Sequence, residues 1–281
     1  MPKNKILVTG SAGFIGYHLC KSLLNDNVEI FGLDNLNDYY DIDLKLSRLK
    51  ELRKYENFLF EKIDIADRES LTKAFNNFNP DIVVNLAAQA GVRYSIENPY
   101  VYMESNLVGF LNIIELCRNY NIKSFIYASS SSVYGLNKTI PFKESAKIQN
   151  PTSLYGATKA ANELIANSYS HLYDLNTTGL RFFTVYGPWG RPDMAMFIFT
   201  KNILDNKPIE VYNHGNMRRD FTFIDDIVFG VKSAINKNYK CEIFNLGNSK
   251  SENLMHMIKI IENELNVKAI VKYRELQKGD V

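Results

Sequence analysis

The sequence predicts an α/β fold built on a doubly wound parallel sheet. Three observations lead there: β-branched runs alternate with helical patterns, a glycine-rich turn directly follows the first run, and 281 residues suffice for one large or two closely joined domains. Residues 6–8, 28–33, 58–60, 82–86 and 125–128 are near-continuous apolar runs, the pattern of strands covered on both faces. Between them, residues 14–24, 68–78 and 103–118 repeat apolar side chains at spacings of three and four, which predicts helices. A longer helix follows over about 154–173, then a sixth strand over 178–182. Past Tyr186 the breakers of Gly187-Pro-Trp-Gly-Arg-Pro make a loop, and the pattern becomes less regular. A strand near 242–247 returns to the sheet.

Composition excludes several classes of function. With 33 Lys and Arg against 31 Asp and Glu, the net charge is +2, too small and too evenly interspersed to gather nucleic acid or an anionic membrane. No apolar run approaches the ~20 residues of a membrane helix, and the start of the chain reads as a strand rather than a signal peptide. Cys20, Cys117 and Cys241, odd in number and far apart, point to a reducing, cytoplasmic setting. His18, His171, His214 and His256 have no paired spacing with cysteines or carboxylates, so no metal site is expected.

The turn Val8-Thr-Gly10-Ser-Ala-Gly13-Phe14-Ile15-Gly16 joins the first strand to the first helix. Glycines there let the backbone turn tightly and approach a pyrophosphate, which the free N–H groups of the helix then face. Asp34 ends the second strand eighteen residues after Gly16, where an acid grips ribose hydroxyls. Its charge repels a 2′-phosphate, and no arginine follows it closely, so NAD is expected rather than NADP. Asp64 and Ile65 after the third strand, and Leu86, Ala87 and Ala88 after the fourth, end strands on the same side. Asp64 there is either an adenine contact or a solvated loop acid, and the alanines either admit the cofactor closely or pack a helix.

Tyr155-Gly-Ala-Thr-Lys159 places a phenol and an ammonium on one helical face. A cation beside a tyrosine favours the phenolate and so prepares a general base. The run Ala128-Ser-Ser130-Ser131-Ser132 ends the fifth strand at the carboxyl edge, where such sheets bind ligands.

Together these features resemble the extended short-chain dehydrogenase/reductase family of NAD-dependent sugar-nucleotide epimerases and dehydratases, over almost the whole chain. Asp34-Asn-Leu-Asn-Asp-Tyr-Tyr-Asp41, Ala90-Gly-Val-Arg-Tyr-Ser-Ile-Glu-Asn-Pro99 and Gly187-Pro-Trp-Gly-Arg-Pro-Asp-Met-Ala195 resemble its UDP-glucuronate 4-epimerase branch. The resemblance implies a Rossmann-type NAD-binding domain over residues 1–185, joined by the returning strand, and a smaller C-terminal substrate-binding domain over 186–281. It implies 4-epimerisation of UDP-glucuronate to UDP-galacturonate through a 4-keto sugar, with Ser130 as the catalytic hydroxyl, Tyr155 as the base and Lys159 as its partner. Tyr155 and Lys159 then also touch the cofactor. Substrate contacts fall on Arg93, Ser130, Ser131, Ser132, Tyr155, Thr184, Arg191, Arg219 and Asp280; Arg191 and the hydroxyls suit the sugar carboxylate, Arg219 the diphosphate. Related dehydratases carry an Asp-Glu pair where this chain has Ser131 and Ser132, which disfavours elimination. Asn85 stands where relatives often have His, and the sequence stops within what looks like a substrate-side motif beginning at Glu275.

Other readings remain on the same scaffold: a different UDP-hexose 4-epimerase, a UDP-glucuronate decarboxylase, or a non-catalytic NAD(P) sensor. Asp225 or Asp226 is expected to cap the helix over 227–235, and Arg218 to be solvated. The apolar faces of 103–118 and 154–173 suit a homodimer, as in the family, or packing within one chain.

Overall fold

The computed structural model describes residues 4–277 and 279. In the first half β1 (Lys5–Thr9), α1 (Phe14–Asn25), β2 (Glu29–Asp34), β3 (Phe58–Lys62), α3 (Arg68–Phe78) and β4 (Ile82–Asn85) alternate as expected, and a further helix, α2 (Ile42–Leu52), that the apolar pattern does not announce lies between β2 and β3. Short helices α4 (Tyr94–Glu97) and α5 (Pro99–Tyr102) lead through a π-helical turn, Met103–Val108, into α6 (Gly109–Asn119). Then come β5 (Ser124–Ser130), α7 (Leu154–Tyr173), β6 (Thr177–Phe182), β7 (Thr184–Tyr186), α8 (Ala195–Leu204) and β8 (Ile209–Val211). The last elements are β9 (Arg218–Phe223), α9 (Ile224–Lys237), β10 (Cys241–Leu246), β11 (Ser251–Asn253), α10 (Leu254–Leu265) and β12 (Val271–Tyr273).

Seven strands form one sheet in the order β10-β6-β5-β4-β1-β2-β3, every neighbouring pair parallel. The strand order reverses beside β1, and that reversal opens a crevice at the carboxyl ends of β1 and β4. Helices cover both faces. On one, Phe14, Leu19, Leu49, Leu52, Ile227 and Val231 of α1, α2 and α9 share a core with Ile6, Val8 and Ile30. On the other, Leu71, Phe75, Ile113, Leu116 and Ala166 of α3, α6 and α7 close over Leu7, Val83 and Phe125. Burial of this kind, at about 25 cal/mol per Å² of apolar surface, is what holds the sheet rigid beneath the crevice.

A smaller body follows. Phe199, Ile203, Ile209, Val211, Met257, Ile258 and Ile261 make a separate core from α8, β8 and α10. Beside it lie a three-stranded sheet, β11-β9-β7, and the parallel pair β12-β8. Residues 186–281 thus contribute α9 and β10 to the large sheet's layers as well as this second core.

Two local expectations are corrected. Helix α9 begins at Ile224 with Phe223 at its cap position and no side-chain cap, so Asp225 and Asp226 lie in the first turn, facing the helix dipole rather than capping it. Arg218 is not merely solvated: its Nε and Nη2 donate to Ser251 Oγ and O at 3.1 and 2.6 Å, tying β9 to β11.

Candidate active site

The crevice is a cleft with about 1370 Å³ of atom-free space, its open mouth included. Gly10, Gly13, Phe14, Ile15 and Gly16 line it after β1; Asp34, Asp64 and Ile65 lie toward β2 and β3, Leu86, Ala87 and Ala88 follow β4, and Ser130, Tyr155 and Lys159 lie toward β5. Gly10 sits at φ +69°, and a Cβ there would stand 2.8 Å from Ala87 N. A Cβ on Gly16 would collide with the carbonyl of Gly10, and both partners are backbone with no room to yield. Gly16→Ala is therefore expected to cost about 1–3 kcal/mol of stability and to strip bound dinucleotide from the purified protein. The melting temperature and the 260/280 nm absorbance ratio check both.

At the end of β2 Asp34 is buried, accepting hydrogen bonds from Ala12 N at 3.2 Å and Leu36 N at 2.9 Å. Burial raises its pKa above the ordinary carboxylate value, while those N–H donors and nearby Lys45 and Arg48 pull it down. Asp64 does two things at once: it faces the cleft and accepts from Asn35 Nδ2 and Ala66 N, both at 2.8 Å. Asn85 is buried as well, and accepts from Thr9 Oγ1 at 2.6 Å, while that hydroxyl accepts from Ala87 N. The amide of Asn85 is thus held inside the fold.

Helix α2 supplies residues that sequence reasoning missed. Its buried face is Lys45, Arg48, Leu49 and Leu52. Half of that face is cationic, so apolar periodicity does not reveal it; only Asp41, which caps the helix by accepting from Asp43 N, is a sequence signal. Arg48 is wholly buried and donates to Ala12 O, Tyr40 Oη, Trp189 O and Gly190 O at 2.9, 2.8, 2.6 and 3.3 Å. One guanidinium thereby joins the glycine-rich turn to the loop that carries Arg191.

The end of the cleft beside β5 is polar. Ser153 caps α7 through Gly156 N, which starts the helix so that Tyr155 and Lys159 face β5. Tyr155 is hydrogen-bonded to Ser130. Burial raises the phenol's pKa, opposed by that hydrogen bond and by the field of Arg191. The sequence reading credits Lys159, together with the positive nicotinamide of the cofactor, with favouring the phenolate; here desolvation dominates, and Ser130 and Arg191 oppose it. Lys159 Nζ donates to Ala128 O at 2.7 Å, and burial lowers its pKa to about 8, with Glu163 opposing. One turn on, Glu163 pairs with Arg181 through two hydrogen bonds at 2.9 and 2.7 Å and accepts from Ser129 Oγ at 2.5 Å. This buried pair locks the carboxyl edge of β5 against α7.

Arg191 lines the cleft and forms a two-pronged pair with Asp193. Ser131 and Ser132 form a 3₁₀ turn directly after Ser130, which accepts from Ser132 N at 3.1 Å. Thr184 lies on β7, paired in register with Phe221 of β9. These three, with Arg93 and Arg219, are outside the residues that line the cleft. The exposed Arg93 guanidinium instead stacks over Tyr212 at 4.8 Å, and Arg219 Nη1 donates to Arg218 O. Asp280 lies outside the described residues. Among the described residues no cluster of His, Cys, Asp and Glu is arranged to hold a metal.

The residues fit a dinucleotide. A cradle that any Cβ would fill, the N-terminus of α1 with no side-chain cap, and a buried acid at the end of β2 match a pyrophosphate and a ribose diol. The phenol, hydroxyl and ammonium can take and return a proton at an alcohol beside the cofactor.

The profile of the NAD dependent epimerase/dehydratase family matches residues 6–247. Protein CapI of Staphylococcus aureus is 52% identical, over 99% of this chain and 88% of that protein. A UDP-glucuronate 4-epimerase of Thermodesulfobacterium geofontis is 45% identical, over 98% of this chain and 85% of that one. Among solved structures, UDP-glucuronic acid 4-epimerase from Bacillus cereus, in complex with UDP-glucuronic acid and NAD, superposes with a TM-score of 0.92. That protein is 33% identical, and the match covers 98% of this chain and 88% of it.

Proposed function

The chain belongs to the NAD dependent epimerase/dehydratase family, and we propose that it interconverts UDP-glucuronate and UDP-galacturonate by inverting carbon 4. The relatives that share nearly its whole length and the matching solved complex support this substrate. The observation that carries it is one cleft holding Arg191, a carboxylate-reading fork, together with Ser130, Tyr155 and Lys159. NAD is the cofactor: when bound, it supplies a hydride acceptor at carbon 4 that later returns the hydride. Gly10, Gly13, Gly16 and the first turn of α1 hold its pyrophosphate, Asp34 its ribose, and Ile65 with Leu86–Ala88 the adenine and nicotinamide sides.

In this reading Tyr155 accepts the proton of the 4-hydroxyl and later gives it back, with Ser130 bonded to the same oxygen. Ser130 and Arg191 oppose the desolvation of the phenol, and Lys159, one helical turn on, is assigned a further positive charge that favours the phenolate. Arg191, which lines the cleft, restrains the sugar carboxylate and so keeps a 4-keto uronic acid out of the geometry that favours decarboxylation; Ser131, Ser132 and Thr184, outside that lining, are assigned to the same carboxylate by the family resemblance alone. Arg219 and Asp280 are assigned to the nucleotide, and Arg93 to the substrate without a stated part. Because Ser131 and Ser132 are hydroxyls, no acid–base pair for water loss stands next to Ser130.

The wider setting is inferred in the same way. Val108 and Leu111 at α6 and Leu164 and Leu172 on α7 are exposed apolar side chains, which suits a homodimer across these helices. Three free cysteines suit a reducing cytoplasm, and no helix among the described residues is long and apolar enough to cross a membrane. Supply of galacturonate to a polysaccharide is the corresponding role. Incubating the purified protein with UDP-glucuronate and resolving the nucleotide sugars is the test, with UDP-galacturonate as the expected product. A UDP-pentose instead identifies a decarboxylase. Conversion of neutral UDP-hexoses alone overturns the role given to Arg191, and inertness toward all of them favours a sensor.

A further inference from the structure

Arg191 and Asp193 lie two residues apart in the loop between β7 and α8, at the cleft. Arg191 Nε donates to Asp193 Oδ1 at 3.0 Å and its Nη2 to Oδ2, so a single carboxylate engages the fork. A second element holds that carboxylate: Tyr39 Oη, between β2 and α2, donates to Oδ2 at 3.2 Å, and its ring lies 5.8 Å beneath the guanidinium. A guanidinium fork receives one planar carboxylate in this bidentate manner. A half-buried cation stripped of its counter-charge is costly.

Resting on the epimerase reading above, we propose that Asp193 is an internal stand-in for the sugar carboxylate on Arg191. It holds the fork when the sugar does not, yields it when UDP-glucuronate binds, and takes it back while the 4-keto sugar turns from one face to the other. That turn carries the carboxylate at carbon 5 off one set of donors before it reaches the next. Asp193 keeps Arg191 paired in between, which lowers the barrier to letting go. Two carboxylates exchange on one cation, and no bond, proton or electron changes place. Asp193 is thus a positioning residue that acts through Arg191.

Asp193→Asn keeps the shape and removes the competing charge. In the holoenzyme its KM for UDP-glucuronate should fall about tenfold, the scale of one charge-assisted pair, and kcat should fall with it. A loop-pinning role moves KM the other way, because Arg191 would drift. Binding is then read without turnover by calorimetry on Tyr155→Phe and on the Tyr155→Phe, Asp193→Asn double variant. The second substitution should tighten UDP-glucuronate about tenfold and leave UDP, which has no uronate, unchanged. Should Asp193→Asn not fold, Tyr39→Phe removes only the hydroxyl that anchors Asp193 and should shift KM downward by a smaller factor. A KM that rises or holds within about twofold, or equal tightening of UDP, overturns the proposal. Failure of the wild type to convert UDP-glucuronate overturns the epimerase reading instead, and is measured first.

Discussion

Replacing Tyr155 with phenylalanine is expected to lower kcat on UDP-glucuronate by about 10³–10⁴-fold, the upper range of what one general base contributes. The ring remains, so its edge contact with Tyr102, 6.2 Å between centroids, and the packing of α7 are kept. What goes is the hydroxyl bonded to Ser130 and lying in the field of Arg191. NAD and UDP-sugar binding should therefore survive, and the melting temperature should stay within a few degrees of the wild type. Stopped assays of nucleotide-sugar products, with the absorbance ratio of the purified protein, read the two sides separately. Turnover within tenfold of the wild type would remove Tyr155 from the mechanism.

Replacing Lys159 with methionine is expected to cost about 10²–10³-fold in kcat while leaving the fold at least as stable. The reasoning starts from burial. Lys159 is 3% exposed, and desolvation lowers its pKa from 10.5 to about 8, against the pull of Glu163. The unfolded chain thus holds this proton more tightly than the folded one. Stability contributed through this group rises as pH climbs from about 8 toward 10.5, and the cost of the buried cation is fully present below pH 8. Methionine fills similar volume without that charge and gives up one bond, to Ala128 O. Calorimetry on NAD-saturated protein near pH 7 should show a melting temperature unchanged or higher. The same titration sets a limb on activity: wild-type kcat/KM should decline above about pH 8, as the cation beside Tyr155 is lost. In Lys159→Met that limb should disappear from the residual activity. A melting temperature several degrees lower would mean that Lys159 is chiefly structural.

Most of the sheet and the cofactor end of the cleft are written in local pattern. Apolar runs mark β1 to β6, the spacing of Gly10, Gly13 and Gly16 marks the turn, and Tyr155 with Lys159 marks one helical face. Each is a short-range relation between neighbours in the chain, so periodicity and spacing suffice to find it. The second half is harder, because β7, β8, β11 and β12 are three residues each and owe their existence to partners far away in sequence. Helix α2 escapes for another reason: its buried positions 45 and 48 are cations that donate to backbone carbonyls, Asn37 and Tyr40, so no apolar periodicity marks them.

The sequence by itself determines the family, the dinucleotide turn, and the residue types available for proton transfer, since these depend on side-chain identity at fixed local spacing. Only the tertiary structure decides what each group meets. It sets Arg191 against Asp193 and Tyr39, runs Arg48 from Ala12 to Trp189, and dehydrates Lys159 against Ala128 O. Charge, hydrogen bonding and solvation are properties of neighbours in space, and the chain brings those neighbours together only when it folds.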